Sequence, residues 1–202
     1  MLGAGLSSRM GRNKLLLEID GCSLLRRAAG AAIEAGLAPV LVVVGHQAEQ
    51  ARAQLDGLAC TPVLNPDYAT GQESSLRAGA QALPGGLQGA VVLLADMPLV
   101  TSAMVRAVAE RLLRGPEPLV LSTFGSVAAP PTGYGAALFD ELRALEGGGC
   151  GKRVVKRHRA EAAELAWPAE ALADTDLPEE FARVRALLEG APAAPQTMGG
   201  AP

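Results

Sequence analysis

The chain is poor in aromatic residues: Phe, Trp and Tyr make up 3% of its 202 residues. That scarcity argues against the stacking platforms on which single-stranded nucleic acids are held. An excess of one charge is also lacking, with 18 Lys and Arg against 21 Asp and Glu, a formal net charge of −3. Without a global basic field, neither nucleic acid nor an anionic membrane surface is expected as a partner. No apolar run approaches the roughly 20 residues of a membrane span. The opening Met1-Leu2-Gly3-Ala4-Gly5 passes straight into a polar Gly/Ser stretch, unlike a secretory signal. The three cysteines, Cys22, Cys60 and Cys150, are odd in number and show no Cys-x-x-Cys spacing. This excludes a disulfide framework and a structural zinc site, and makes a reducing cytoplasm the expected compartment.

What is present is a globular composition, 49% hydrophobic and 19% charged, which excludes a disordered chain. One domain is expected over residues 1–189, followed by a disordered tail over 190–202, rich in Gly, Ala and Pro. Short apolar runs alternate with helical patterns, which predicts an α/β sheet with parallel strands. Strands are predicted at 40–44, 61–64, 90–95, 119–123 and 161–167, those at 40–44 and 90–95 strongly buried. Helices are predicted at 24–35 (capped by Ser23 and ended by Gly36), 47–55, 72–82, 101–113, 134–145, 152–159 and 178–188. The stretch 127–134, with two prolines, reads as a loop or an edge strand. A strand should precede the first glycine loop, yet only Met1 and Leu2 stand there, where a mean strand has about five to six residues. Either the reading frame starts earlier or this edge of the sheet is short.

The most informative segment is Leu2-Gly3-Ala4-Gly5-Leu6-Ser7-Ser8-Arg9-Met10-Gly11-Arg12-Asn13-Lys14. Glycines let backbone N–H groups approach phosphate oxygens, and Arg9 and Lys14 add the positive charge a triphosphate requires. The segment is neither a Walker A loop nor a dinucleotide fingerprint, since Ser8 takes the third glycine position. An ordinary strand-to-helix turn carrying surface basic residues is the alternative. Asp96, at the end of Leu93-Leu94-Ala95, could hold Mg²⁺ at the carboxyl end of a parallel strand, or act as a turn residue before Pro98. Gly71-Gln72-Glu73-Ser74-Ser75-Leu76-Arg77-Ala78-Gly79 reads, taken alone, as a helix amino terminus.

The first run resembles the signature of the MobA-like NTP transferase family, nucleotidyltransferases related to the molybdenum cofactor enzymes. Gly3 stands where alanine is usual. The resemblance continues through Leu15-Leu16-Leu17-Glu18-Ile19-Asp20-Gly21 and Leu93-Leu94-Ala95-Asp96-Met97-Pro98. It implies a Rossmann-like three-layer α/β/α domain of the nucleotide-diphospho-sugar transferase type, with a mostly parallel sheet. Leu2, Gly3, Ala4 and Gly5 would wrap a nucleotide, Arg9 and Lys14 would hold its phosphates as catalytic groups, and Asp96 would bind Mg²⁺. Ala4 and the 71–79 segment are similar to the cytidylyltransferase branch, which makes Asn65, Gly71, Gln72 and Ser75 candidate base or ribose contacts and CTP the expected nucleotide.

In the late Asp174-Thr175-Asp176-Leu177-Pro178-Glu179, Asp174 (then Asp176) would be a second metal ligand, or the acidic pair simply favours a helix start. Lys152 and Arg153 would bind the acceptor, or belong to a solvated basic face with Lys156, Arg157 and Arg159. The family's neighbouring aspartate falls on Gly149, beside Cys150. The implied reaction transfers CMP from CTP to the phosphate of molybdopterin or its molybdenum form and releases pyrophosphate; a molybdoenzyme is a possible partner. The alternatives are GTP or another phosphorylated acceptor (a sugar or polyol phosphate), and a non-catalytic accessory protein that delivers cofactor to molybdenum hydroxylases.

Overall fold

The computed structural model describes residues 1–5, 13–146, 151–173, 175 and 177–190. The first strand, β1, is only Leu2–Gly3. Strands β2 (Glu18–Ile19) and β3 (Cys22–Ser23) form a hairpin turned by Asp20-Gly21, whose φ values of 53° and 70° suit the left-handed turn that Asp-Gly favours. Ser23 Oγ accepts from the Arg26 N–H at 3.2 Å and so caps α1 (Leu24–Glu34). There follow β4 (Leu41–Val44), α2 (Ala48–Ala53), β5 (Thr61–Leu64), α3 (Gln72–Gln81) and β6 (Gly89–Val92). Helix α4 (Ser102–Arg114) is capped by Thr101, whose Oγ1 accepts from the Met104 N–H at 3.3 Å. The chain continues with β7 (Leu119–Phe124), β8 (Val127–Gly135), α5 (Phe139–Arg143), α6 (Lys152–His158), β9 (Ala162–Trp167) and α7 (Pro178–Glu189).

Strands β5, β4 and β1 pair in parallel, and β6, β8, β7 and β9 form a second ladder in that order. The two meet at the parallel bridge Leu2↔Leu94, where the Leu2 N–H donates to the Leu93 carbonyl at 2.8 Å and the Ala95 N–H to the Leu2 carbonyl at 3.1 Å. The strand order across the molecule is therefore β5-β4-β1-β6-β8-β7-β9, parallel except around β8. Alternation along the strands separates two helical layers. Val43 packs with Leu76 and Ala80 of α3 and Phe139 and Leu142 of α5, while Val42 and Val44 pack with Leu25, Ala29, Ala51 and Val105 of α1, α2 and α4. Among the described residues no helix is long and apolar enough to cross a membrane.

Three expectations are corrected. The stretch 127–134 is neither loop nor edge: β8 lies between β6 and β7, antiparallel to both. Its prolines are tolerated because Pro130 and Pro131 fall beyond the last pair with β6, Val92↔Thr132, and in a bulge of β8 between the pairs Val120↔Gly133 and Ser122↔Ala129. Tyr134 lies within this strand, which ends at Gly135, rather than opening a helix, and a 3₁₀ turn over Ala136–Leu138 intervenes before α5. The strand predicted at 90–95 ends at Val92 and is half-buried throughout, because no described strand lies along its β1-side edge before Leu93.

Candidate active site

At the carboxyl ends of β1, β5 and the segment after β6 lies a hollow of about 210 Å³. Open parallel sheets place ligands in such a crevice. Its walls are the turn Leu2-Gly3-Ala4-Gly5, Lys14 and Leu15, Tyr68 and Ala69, the first turn of α3 (Gly71, Gln72, Ser75), and Leu94 with Asp96. Lys14 opens a 3₁₀ turn that Asn13 caps, its Oδ1 accepting from the Leu15 N–H at 3.1 Å. The Lys14 side chain is 9% exposed, and its Nζ lies 2.7 Å from Asp96 Oδ2. A buried lysine and a strand-end aspartate, 82 positions apart in the chain (96 − 14), are thus brought into one ion pair.

Gly71 introduces α3 with φ of 117°, a backbone state that L side chains rarely adopt. The amino end of this ten-residue helix and the residues on its first turn face the hollow, an orientation that favours anions. Asn65 stands behind this wall, itself 2% exposed. Its amide donates to Ser74 Oγ at 2.8 Å and to Ser75 Oγ at 3.1 Å, while its carbonyl accepts from the Asp67 N–H at 3.0 Å. Asn65 therefore fixes the serines and is not among the lining residues. Glu73, on the same helix turn, is buried and bound by Arg153 at 2.7 Å, which draws one of the two candidate acceptor residues onto α3. Lys152, the other, is exposed at the start of α6.

Arg9, Asp174, Asp176, Gly149 and Cys150 lie outside the described residues. The segment between the two acidic candidates is nevertheless anchored at the site: Thr175, fully buried, donates from Oγ1 to the Asp96 carbonyl at 3.3 Å. Sequence reasoning missed Thr175, Tyr68, Ala69 and Leu15. Tyr68 could have been found from Gly45, which ends β4: a Cβ there would come within 2.5 Å of Tyr68 Cβ, so the glycine admits the ring over the strand end. Gly3 carries a similar signal, since a Cβ in its place would meet Leu25 Cδ1 at 2.7 Å. Among the described residues no group of three or more His, Cys, Asp or Glu could hold a metal by itself. One carboxylate beside an anion pocket fits a hard cation that takes its remaining oxygens from phosphates and water, as Mg²⁺ does.

A glycine turn, a helix amino end and a buried Lys–Asp pair meet at the sheet's carboxyl edge, on the fold that nucleotidyltransferases share. Residues 1–162 match the MobA-like NTP transferase domain, and the chain belongs to that family. It is 29% identical over 199 residues to the purine catabolism protein PucB of Bacillus subtilis, covering 91% of this chain and 93% of PucB. It is 31% identical over 144 residues to the bifunctional protein GlmU of Sinorhizobium medicae, covering 69% of this chain but only 31% of GlmU. The crystal structure of Rv0371c from Mycobacterium tuberculosis superposes with a TM-score of 0.77 at 25% identity, over 94% of this chain and 96% of that one. The same mycobacterial protein in complex with manganese gives a TM-score of 0.73 at 24% identity, over 94% and 96% of the two chains. These neighbours share the nucleotide-diphospho-sugar transferase fold.

Proposed function

We propose that this chain transfers CMP from CTP to the terminal phosphate of a molybdopterin-type acceptor, with release of pyrophosphate. The observation that carries this reading is the meeting of Lys14 and Asp96 at 2.7 Å against the glycine turn and the first turn of α3. An acceptor phosphate oxygen forms the new bond to the α-phosphorus of CTP, the bond to the β-phosphate oxygen breaks, and pyrophosphate departs. A phosphate monoester, with its second pKa at about 6, is already largely ionised at neutral pH, so no strong general base is required. The protein's work is alignment and charge neutralisation.

In this account Gly3, Ala4 and Gly5 present backbone N–H groups to the triphosphate. Lys14 exchanges its contact with Asp96 for the β- and γ-phosphates, helped by Arg9. Gln72 and Ser75 meet the base and ribose, held in place by Asn65. Asp96, joined by Asp174, would hold Mg²⁺, which when bound supplies positive charge to the phosphate oxygens. Lys152 meets the acceptor's phosphate, together with the N–H groups that Arg153 does not give to Glu73. Ala4 and the 71–79 segment favour CTP over GTP. The manganese complex of the mycobacterial neighbour supports a divalent-metal requirement.

The test is pyrophosphate release, measured with CTP, GTP and UTP against molybdopterin, a sugar phosphate and a polyol phosphate. Release with CTP and molybdopterin is expected. Preference for GTP overturns the choice of base, and release only with a sugar or polyol phosphate overturns the choice of acceptor. Tight CTP binding without release under any acceptor would establish the delivery role instead.

A further inference from the structure

The first turn of α3 carries a charge that the proposed chemistry leaves unused. Glu73 stands between Gln72 and Ser75 in the chain, yet it is not among the residues that line the hollow. Its Oε1 accepts from Arg153 Nη2 at 2.7 Å, and Arg153 is the one cation paired with it among the described residues. The burial is lopsided: the carboxylate side chain is 3% exposed and the guanidinium side chain 57%. Arg77, four positions on and the natural helical partner for Glu73, is engaged elsewhere. It donates to the Leu145 carbonyl at 3.0 Å and lies 3.6 Å from Asp67.

The contact is prepared from the other helix as well. Gly151 stands at the start of α6 with φ of 74°, and a Cβ there would come within 2.8 Å of Leu76 Cδ2 and 3.2 Å of Tyr134 Oη. A glycine in this left-handed state lets α6 begin close against α3, which brings Arg153, in the first turn of α6, to Glu73. Unpaired, the carboxylate would be at odds with its surroundings. The amino end of a helix attracts anions, and a carboxylate in its first turn takes up the field that would hold a ligand's phosphate. A helix with its side chains is about 10–12 Å across, so Glu73 stands within about that distance of anything that Gln72 and Ser75 hold. At that range and an effective dielectric of about 20, one unpaired charge changes the affinity for an anion by about tenfold.

We propose that Arg153 is a positioning residue for the nucleotide: through Glu73 it neutralises and holds the first turn of α3, leaving the helix amino end open to a polyphosphate. This role rests on the hollow being a nucleoside triphosphate site, as proposed above, and is additional to the contact of Arg153 with the acceptor. Because it concerns charge, it does not depend on which base is bound.

The experiment titrates CTP, CDP and CMP, with Mg²⁺ and without acceptor, into the parent chain, Arg153→Met, Glu73→Gln and the double variant. If the parent prefers GTP or UTP, the corresponding series of tri-, di- and monophosphate is used. Arg153→Met, which leaves the buried carboxylate unpaired, is expected to weaken the triphosphate at least about tenfold, with a loss that shrinks through the diphosphate to the monophosphate. Glu73→Gln alone is expected to tighten the triphosphate about two- to threefold, and the double variant to return within about threefold of the parent. A wall that is merely distorted would weaken all three ligands alike, and the second substitution would not restore it. Equal losses for the three ligands, unchanged binding by Arg153→Met, or a double variant as weak as Arg153→Met overturns the proposal and leaves the nucleotide reading intact. A parent that binds no nucleoside triphosphate overturns both. Should Arg153→Met fail to fold, Glu73→Gln decides: tighter triphosphate binding supports the proposal, and equal or weaker binding overturns it.

Discussion

Two hollows flank the same two-residue strand and could hardly differ more. The one at its carboxyl end is the smaller, about 210 Å³, yet it gathers Lys14, Asp96, the glycine turn and a helix amino end. The one at its amino end is about 520 Å³ and, apart from Gln88, its lining side chains are apolar. Size alone would favour the hollow without charged groups. What marks the carboxyl end is convergence of charge and backbone N–H groups where parallel strands stop, a property of sheet topology. What marks the other end is its apolar lining, a property of packing.

That contrast is tested by substitutions that should affect one end and spare the other. At the carboxyl end, Asp96→Asn or Lys14→Ala is expected to lower pyrophosphate release at least about a hundredfold, the scale of one lost transition-state contact. For the isosteric Asp96→Asn the melting temperature should stay within a few degrees, and a variant that turns over normally would remove Asp96 from the site. At the amino end the pattern inverts. Leu112→Ala, which widens the apolar hollow, is expected to cost about 2–3 kcal/mol in urea unfolding with no change in CTP affinity. Linked loss of stability and nucleotide binding would erase the distinction between the two ends.

A finer probe of the carboxyl end is Gln72→Ala or Ser75→Ala, each expected to weaken CTP about tenfold by calorimetry, the loss of about one hydrogen bond.

Much of this was legible in the sequence for identifiable reasons. The β-branched run Val40 to Val44 is buried on both faces, and only a central parallel strand has that demand. Ser23 caps the helix it was expected to cap, because capping is a local interaction. Lys14 and Asp96 were each named as phosphate and metal candidates, though their direct pairing was not. The illegible parts depend on distant partners. The prolines of β8 look incompatible with a central strand until its own bulge opposite Leu121 and the end of β6 are known. Arg153 reads as a free basic residue until α6 meets buried Glu73, 80 positions away. Thr175 stands between two more conspicuous aspartates, and nothing local indicates that it reaches the Asp96 carbonyl. The short first strand was visible in the sequence, but its place between β4 and the segment after β6 required the register.

The most direct measurement of the central claim is a calorimetric titration of CTP, in the presence of Mg²⁺, into the parent chain and Lys14→Ala. The account predicts one CTP bound per chain by the parent, at least about tenfold weaker in the variant, with GTP bound less tightly than CTP by the parent. Equal CTP affinity in the two proteins would show that the nucleotide does not lie against the Lys14–Asp96 pair and would contradict the account at its root.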